Sequence, residues 1–204
     1  MKKEFLSYGI VRNNALKLAR KIYLDGFIPD VIYVFLRGGA YLGNVISEYF
    51  KVIQKNDARS VYYAAVVARS YTGIKESGEI KIDGWTYSPK NLRPGDKVLL
   101  IDDIFDTGKT INHLSNIIIN SGIPRENFKI AVHDYKCFFD SKTPLAFKPD
   151  YWCRKHDLSV NDEDMWIHYS SHELVGLSQK ELEEYYYKDD PDLFDVLGIM
   201  HEDK

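Results

Sequence analysis

Apolar and polar positions along the chain follow two rhythms. Residues 7–24, SYGIVRNNALKLARKIYL, place Ile10, Val11, Leu18, Ala19 and Ile22 near a helical period, which predicts an amphipathic helix. Val31–Leu36 (VIYVFL) is a short unbroken apolar run, the pattern of a strand covered on both faces. It stops at Arg37-Gly38-Gly39 and passes into AYLGNVISEYF, which reads as a helix. Residues 61–68 read as a second strand, 98–101 as a third after the Pro94-Gly95-Asp96 turn, and 128–132 as a fourth after Gly122-Ile123-Pro124. Lys109–Asn120 suits a helix between the last two. Strand, loop and helix in alternation predict an α/β fold, a mostly parallel sheet with helices on its faces.

Two stretches depart from that rhythm. Residues 70–96 are polar and carry Gly73, Gly78, Gly84 and Gly95, as a functional loop does. From about Leu177 the chain becomes acidic and tyrosine-rich. Ser178 and Glu181 stand at capping-box spacing ahead of a helix, and Asp190-Pro191 starts another short one. The expected organisation is a domain over residues 1–176 and a helical C-terminal extension over 177–204.

Composition narrows the class. The 204 residues suit one globular domain with a modest appendage. Thirty acids against 27 Lys+Arg argue against bulk electrostatic binding of nucleic acid. Nothing approaches the roughly 18 apolar residues of a membrane span, so no membrane partner is expected. Cys137 and Cys153 form no CxxC pair and suit a reducing, cytoplasmic setting. Fifteen tyrosines exceed what packing requires and favour surfaces that stack or hydrogen-bond.

The most informative stretch is VLLIDDIFDTGKT. An apolar strand delivers Asp102 and Asp103 to its C-terminal end, and Asp106-Thr107-Gly108-Lys109-Thr110 then opens a helix. Ligands of open α/β sheets sit beyond the carboxyl ends of the strands. Backbone N–H groups and threonine hydroxyls at a helix N-terminus suit a phosphate monoester. Adjacent carboxylates accept hydrogen bonds from sugar hydroxyls or hold a hard cation such as Mg²⁺. A Walker A loop is excluded, because position 103 holds no glycine.

This motif closely resembles the phosphoribosyl-pyrophosphate (PRPP) motif of the type I phosphoribosyltransferases, and residues from about 8 to 174 follow the element order of their 6-oxopurine branch. The resemblance implies that fold, a mobile hood loop over about 70–96, and roles for individual positions. Asp102 and Asp103 match the pair that binds the ribose hydroxyls, with Asp103 next to Mg²⁺. Asp106, Thr107, Gly108, Lys109 and Thr110 match the loop around the 5′-phosphate, and Asp106 the general acid/base at purine N7. Arg37 and Gly38 resemble the pyrophosphate loop, where the family often has a cis peptide, here Leu36–Arg37. Ser70-Tyr71 matches the dipeptide at the root of the hood, which closes over PRPP and excludes water.

The base site is implied in the same way. Lys136, in AVHDYK, matches the lysine that donates to purine O6. Asp164-Met165-Trp166-Ile167 resembles the D-x-W-[IV] pocket, with Trp166 stacking on the base and Ile167 offering backbone groups. The chain then departs from its xanthine-guanine relatives, reading His168-Tyr169-Ser170-Ser171-His172-Glu173 where a proline-tryptophan-acid segment is usual. Glu173 stands where an acid meets the purine edge or a second Mg²⁺. His168 and His172 have HxxxH spacing but no evident third ligand, so zinc is not expected.

The implied reaction moves 5-phosphoribosyl from PRPP to N9 of hypoxanthine, guanine or xanthine, with Mg²⁺ as cofactor, in a homo-oligomer of two or four chains. A different acceptor base, a non-catalytic PRPP-sensing regulator and a general nucleotide-binding domain are the competing readings.

Overall fold

A computed structural model of the chain describes residues 2–54, 60–70, 80–163 and 165–198. It divides into two compact units: residues 8–163, and residues 1–7 together with 164–204.

The larger unit is built on one six-stranded sheet. Its strands are β2 (Val31–Leu36), β3 (Tyr62–Ser70), β4 (Ile80–Trp85), β5 (Val98–Phe105), β6 (Phe128–Phe138) and β7 (Tyr151–Leu158), numbered after β1 (Lys2–Leu6) of the smaller unit. They lie in the order β4-β3-β2-β5-β6-β7. All neighbours are parallel except β3 and β4, which are antiparallel. The helices are α1 (Tyr8–Leu24), α2 (Ala40–Ile53) and α3 (Lys109–Asn120).

The unbroken apolar runs are explained by cover on both faces. Val31 and Tyr33 on β2, with Val98 and Leu100 on β5, join the core beneath α3. Their neighbours Ile32, Val34, Leu99 and Ile101 point the other way, into the core shared with α1 and α2. Tyr33, fully buried, donates its hydroxyl to the carbonyl of Tyr87 at 3.0 Å. Two layers of helices thus hold β2 and β5 at the centre of the sheet, and the loops beyond their C-terminal ends form one edge of the unit.

Several bounds differ from expectation. Strand β5 does not stop at Ile101 but carries Asp102 and Asp103 within it, because its ladder to β6 continues through Asp102↔Val132 to Phe105↔Tyr135. Lys136, expected just after a strand, lies inside the longer β6. The polar stretch 70–96 contains β4, whose Ile80, Ile82 and Trp85 pack against the core, and a 3-10 turn at Pro89–Asn91. Alternation there is diluted by Asp83-Gly84, which hides the strand from a reading by apolar runs.

In the smaller unit β1 pairs in parallel with β8 (Met165–Tyr169), Lys2 opposite Met165 and Leu6 opposite Tyr169. Strand β1 has only Phe5 and Leu6 as apolar residues and gives no run to recognise. The predicted capping box is present: the Ser178 hydroxyl accepts from the N–H of Glu181, and the Glu181 carboxylate accepts from the N–H of Ser178 at 2.7 Å. It opens α4 (Gln179–Leu182), which continues as a π-helical turn over Glu183–Tyr187; α5 (Leu193–Leu197) follows Asp190-Pro191. Leu182, Tyr186 and Leu197 form a small core of their own.

Candidate active site

The acidic pair and the glycine loop meet at the C-terminal ends of β2 and β5. The Leu36–Arg37 peptide is cis, as the resemblance implied. A Cβ on Gly38 would fall 2.3 Å from Oδ2 of Asp103, and one on Gly39 would fall 2.7 Å from the carbonyl oxygen of Ile101. Glycine is needed at both positions for the loop to lie against the strand. Arg37 is exposed at the loop's tip.

The two carboxylates differ in setting. Asp102 is buried, and its Oδ1 accepts from the N–H of Asp103 at 2.9 Å. Burial first, and then the adjacent Asp103 charge, push the Asp102 carboxyl well above the usual carboxylate range. Asp103 is half-buried, with Oδ1 accepting from the N–H of Ile104 at 2.8 Å. A cation or a set of hydroxyl donors at the pair would offset the burial and repulsion that disfavour the Asp102 carboxylate.

Downstream, Asp106 and Thr107 are exposed at a turn that leads into α3. Gly108 caps that helix with φ 72°, a left-handed conformation, and a Cβ there would meet the Phe105 ring at 2.4 Å. The side chain of Asn112 fastens the turn: its amide donates to the carbonyl of Gly108 at 3.0 Å and to that of Phe147 at 2.8 Å. No acidic side chain occupies the first turn of α3, so its N–H groups face the loop without a built-in anion. A small cavity of about 90 Å³ joins Asp102, Asp106, Thr107, Gly108 and Thr110.

Lys136, buried on β6, reaches across to Asp106, with Nζ 3.1 Å from Oδ1. This pair lines a second cavity of about 670 Å³ with Thr107, Lys109, Phe138 and Lys148. Its volume falls in the range of small-molecule sites. The structure therefore brings together Arg37's loop, Asp102, Asp103, residues 106–110 and Lys136, all within the larger unit.

The remaining predicted residues belong elsewhere. Trp166 stands on β8 of the smaller unit, 45% exposed, while Ile167 beside it is buried. Glu173 is engaged locally: Oε2 accepts from the N–H of Tyr169 at 3.0 Å and lies 3.5 Å from Nδ1 of His168. His168 is buried with Nε2 3.0 Å from the Tyr186 hydroxyl, and His172 stacks on Tyr169 with centroids 5.4 Å apart. Among the described residues no group of three or more His, Cys, Asp and Glu gathers as a metal cage. Strand β3 ends at Ser70, whose side chain is not among those described, and Tyr71 and Asp164 lie outside the described residues.

Two features escaped sequence reading. The cavity walls Phe138 and Lys148 follow Lys136 without a motif, though the Phe138-Phe139 pair after a lysine is a compositional signal. The polar residues His133 and Asp134, three and two positions before Lys136, carry no recognised pattern.

The phosphoribosyl transferase domain family matches residues 4–133, well over half of the chain. Hypoxanthine-guanine phosphoribosyltransferase of Cricetulus griseus is 25% identical over 154 residues, 74% of this chain and 67% of the relative. The human enzyme of that name is 26% identical over 121 residues, 58% of this chain and 55% of the relative. The chain thus spans about half to two thirds of the length of the curated relatives it matches. Among solved structures, a purine phosphoribosyltransferase from Pyrococcus horikoshii superposes with a TM-score of 0.64 at 21% identity, covering 88% of this chain and 99% of that one. A xanthine-guanine-hypoxanthine phosphoribosyltransferase from Helicobacter pylori gives 0.55 at 19% identity, over 93% and 97% of the two chains. By the match over more than half of its length, the chain belongs to the phosphoribosyl transferase domain family.

Proposed function

We propose that this protein transfers the 5-phosphoribosyl group of PRPP to N9 of a 6-oxopurine, hypoxanthine, guanine or xanthine, giving a nucleoside monophosphate and pyrophosphate. The observation that carries this reading is the Lys136–Asp106 pair, 3.1 Å apart beside the phosphate turn. An ammonium donor and a carboxylate acceptor at that spacing match the O6 acceptor and N7–H donor on one edge of a 6-oxopurine. A 6-amino group would meet the ammonium donor with another donor, so adenine is disfavoured.

The chain's own groups divide the work. The N–H groups of the 106–110 turn hold the 5′-phosphate, Asp102 and Asp103 accept from the ribose hydroxyls, and Arg37 with the loop amides meets the charge that develops on pyrophosphate. Asp106 holds the proton at N7 while N9 approaches the ribose carbon. The adjacent carboxylates Asp102 and Asp103 fit Mg²⁺, which uses one or two carboxylates and completes its shell with phosphate oxygens and water. When bound, Mg²⁺ would neutralise charge on the leaving pyrophosphate. In sequence, Trp166 stands at the position of the family's base-stacking residue and Glu173 at that of its base-edge acid. A cytoplasmic, homo-oligomeric enzyme of purine salvage completes the reading. Among the described residues, no helix is long and apolar enough to cross a membrane.

Pyrophosphate release from PRPP and Mg²⁺ with hypoxanthine, guanine, xanthine, adenine or uracil tests the proposal. Turnover with 6-oxopurines alone is expected. Turnover confined to adenine or uracil, or PRPP binding with no turnover on any base, overturns it.

A further inference from the structure

Behind the ion pair lies a polar cluster that the reaction does not use. Asp134 on β6 is fully buried. Its Oδ2 lies 2.6 Å from Nδ1 of His133, and its Oδ1 lies 2.6 Å from Nε of Arg154 and 2.7 Å from Nε2 of His156. The hydrogen-bond chain fixes the protons: the Asn14 amide, on α1, donates to Nε2 of His133 at 3.1 Å, so Nδ1 carries the hydrogen given to Asp134. Arg154 neutralises the carboxylate. The Asp134 charge is felt along β7, where burial first and then Asp134 push the Cys153 thiol up to about 12, against the opposing pull of Arg154.

The position of the cluster gives it a use. Pairing of β6 with β5 ends at Phe105↔Tyr135, so Lys136, one residue on, is held laterally by β7 alone, opposite His156. Strand β7 is itself the last strand of the sheet. The carboxylate of Asp134 draws on Arg154, directly opposite it, and on His156, directly opposite Lys136. It therefore ties the edge strand to β6 at the rung of the lysine itself and at the rung two before it. A buried ion pair brings little net stability compared with an apolar packing of the same volume, so what the cluster supplies is alignment of the two strands more than folding energy.

We propose that Asp134, held by His133, Arg154, His156 and Asn14, is a positioning residue that aims the Lys136 ammonium at the oxo group of the base. The proposal rests on the assignment of Lys136 to the base's O6. It predicts a defect confined to base recognition.

The test is a double-mutant cycle on the full chain. Asp134→Asn and, as a milder change at a partly exposed site, His156→Gln are each made alone and with Lys136→Gln. Steady-state kinetics with hypoxanthine and PRPP, product nucleotide binding by calorimetry and thermal melting are recorded. Each single variant is expected to raise the hypoxanthine KM and weaken nucleotide binding about ten-fold, with the PRPP KM unchanged. In the Lys136→Gln background the same substitutions are expected to add nothing further to either. Equal effects in both backgrounds, or an unchanged hypoxanthine KM alongside a lower melting temperature, would assign Asp134 to folding alone and overturn the proposal. Wild-type protein that turns over no 6-oxopurine overturns the parent assignment of the reaction, an outcome visible before any variant is made.

Discussion

The Lys136 ammonium stands 3.1 Å from the Asp106 carboxylate, one end buried and the other half-exposed. Two residues 30 positions apart in sequence are thereby paired at the site where the acceptor is expected. Each occupies the place of one ligand atom for the other. A base that supplies an oxo acceptor and an N–H donor replaces the pair without leaving either group unsatisfied, and one that supplies the reverse pattern does not.

Asp106→Asn should separate chemistry from PRPP binding. The amide keeps the size of the side chain but cannot take a proton from N7. We expect kcat to fall by about 10²–10⁴-fold, the usual worth of a positioned general acid/base. The PRPP KM should move by less than about three-fold, because the phosphate turn is held by Asn112 and the left-handed Gly108 rather than by Asp106. Steady-state kinetics decide the matter; an unchanged kcat would remove Asp106 from the chemistry.

How much of this was legible in sequence depends on what each residue's signal was. Strand β2 and helix α3 were placed to the residue, since an apolar run stopped by Arg-Gly-Gly and a helix opened by Gly108 are both local signals. The acidic pair and Asp106 stood out because they sit in one contiguous motif. Lys136 was recognised by its place after a strand, yet the strand in fact contains it, its continuation depending on pairing with β7, a partner not apparent in the local pattern. The Asp134 cluster assembles from α1, β6 and β7, so no window of sequence could show it. Strand β1 was missed for a similar reason: its partner lies more than 150 residues away.

The two glycines of the first loop predict different failures. Gly39→Ala would place its methyl 2.7 Å from the Ile101 carbonyl oxygen and 2.9 Å from the Phe35 carbonyl oxygen, backbone atoms that cannot swing aside. It should cost about 1–3 kcal/mol of stability, the range for overpacking. Gly38→Ala meets a side chain instead, the Asp103 carboxylate at 2.3 Å, which can rotate. It should melt near wild type while losing PRPP binding. Melting curves and PRPP titrations on the pair would show whether the losses separate in this way; equal melting losses would refute the distinction.

The smaller unit carries an acid-sensitive tie. Lys3 on β1 gives Nζ to the Glu181 carboxylate at 2.9 Å and to the Gly176 carbonyl at 2.6 Å. The Lys3 hydrogen bond first, then the N–H of Ser178, hold the Glu181 carboxyl down at about 2. Because its folded value lies below its unfolded one, the stabilisation is present above about 4.5 and is lost as pH falls toward about 2. Glu181→Gln should therefore lower the melting temperature at pH 6, and the gap to wild type should close between those limits. A gap that persists at the acid end would mean the carboxylate acts only through its capping geometry.

Asp103 gives the sharpest test of the cation. Beside a buried Asp102 whose carboxyl is pushed up by burial and by Asp103 itself, a divalent ion relieves repulsion that PRPP, an anion, would otherwise increase. PRPP at a hundred-fold excess over its Kd should stabilise the protein by about 2.7 kcal/mol when Mg²⁺ is present. Chelation should remove most of that gain. In Asp103→Asn the Mg²⁺-dependent part should vanish, leaving only the weaker response due to the phosphate turn. Thermal shift measured with PRPP, with and without Mg²⁺, distinguishes the two contributions. A PRPP shift that ignores both chelator and substitution would remove Mg²⁺ and Asp103 alike from PRPP binding, whereas one that ignores the chelator but falls with the substitution would assign Asp103 to the ribose hydroxyls alone.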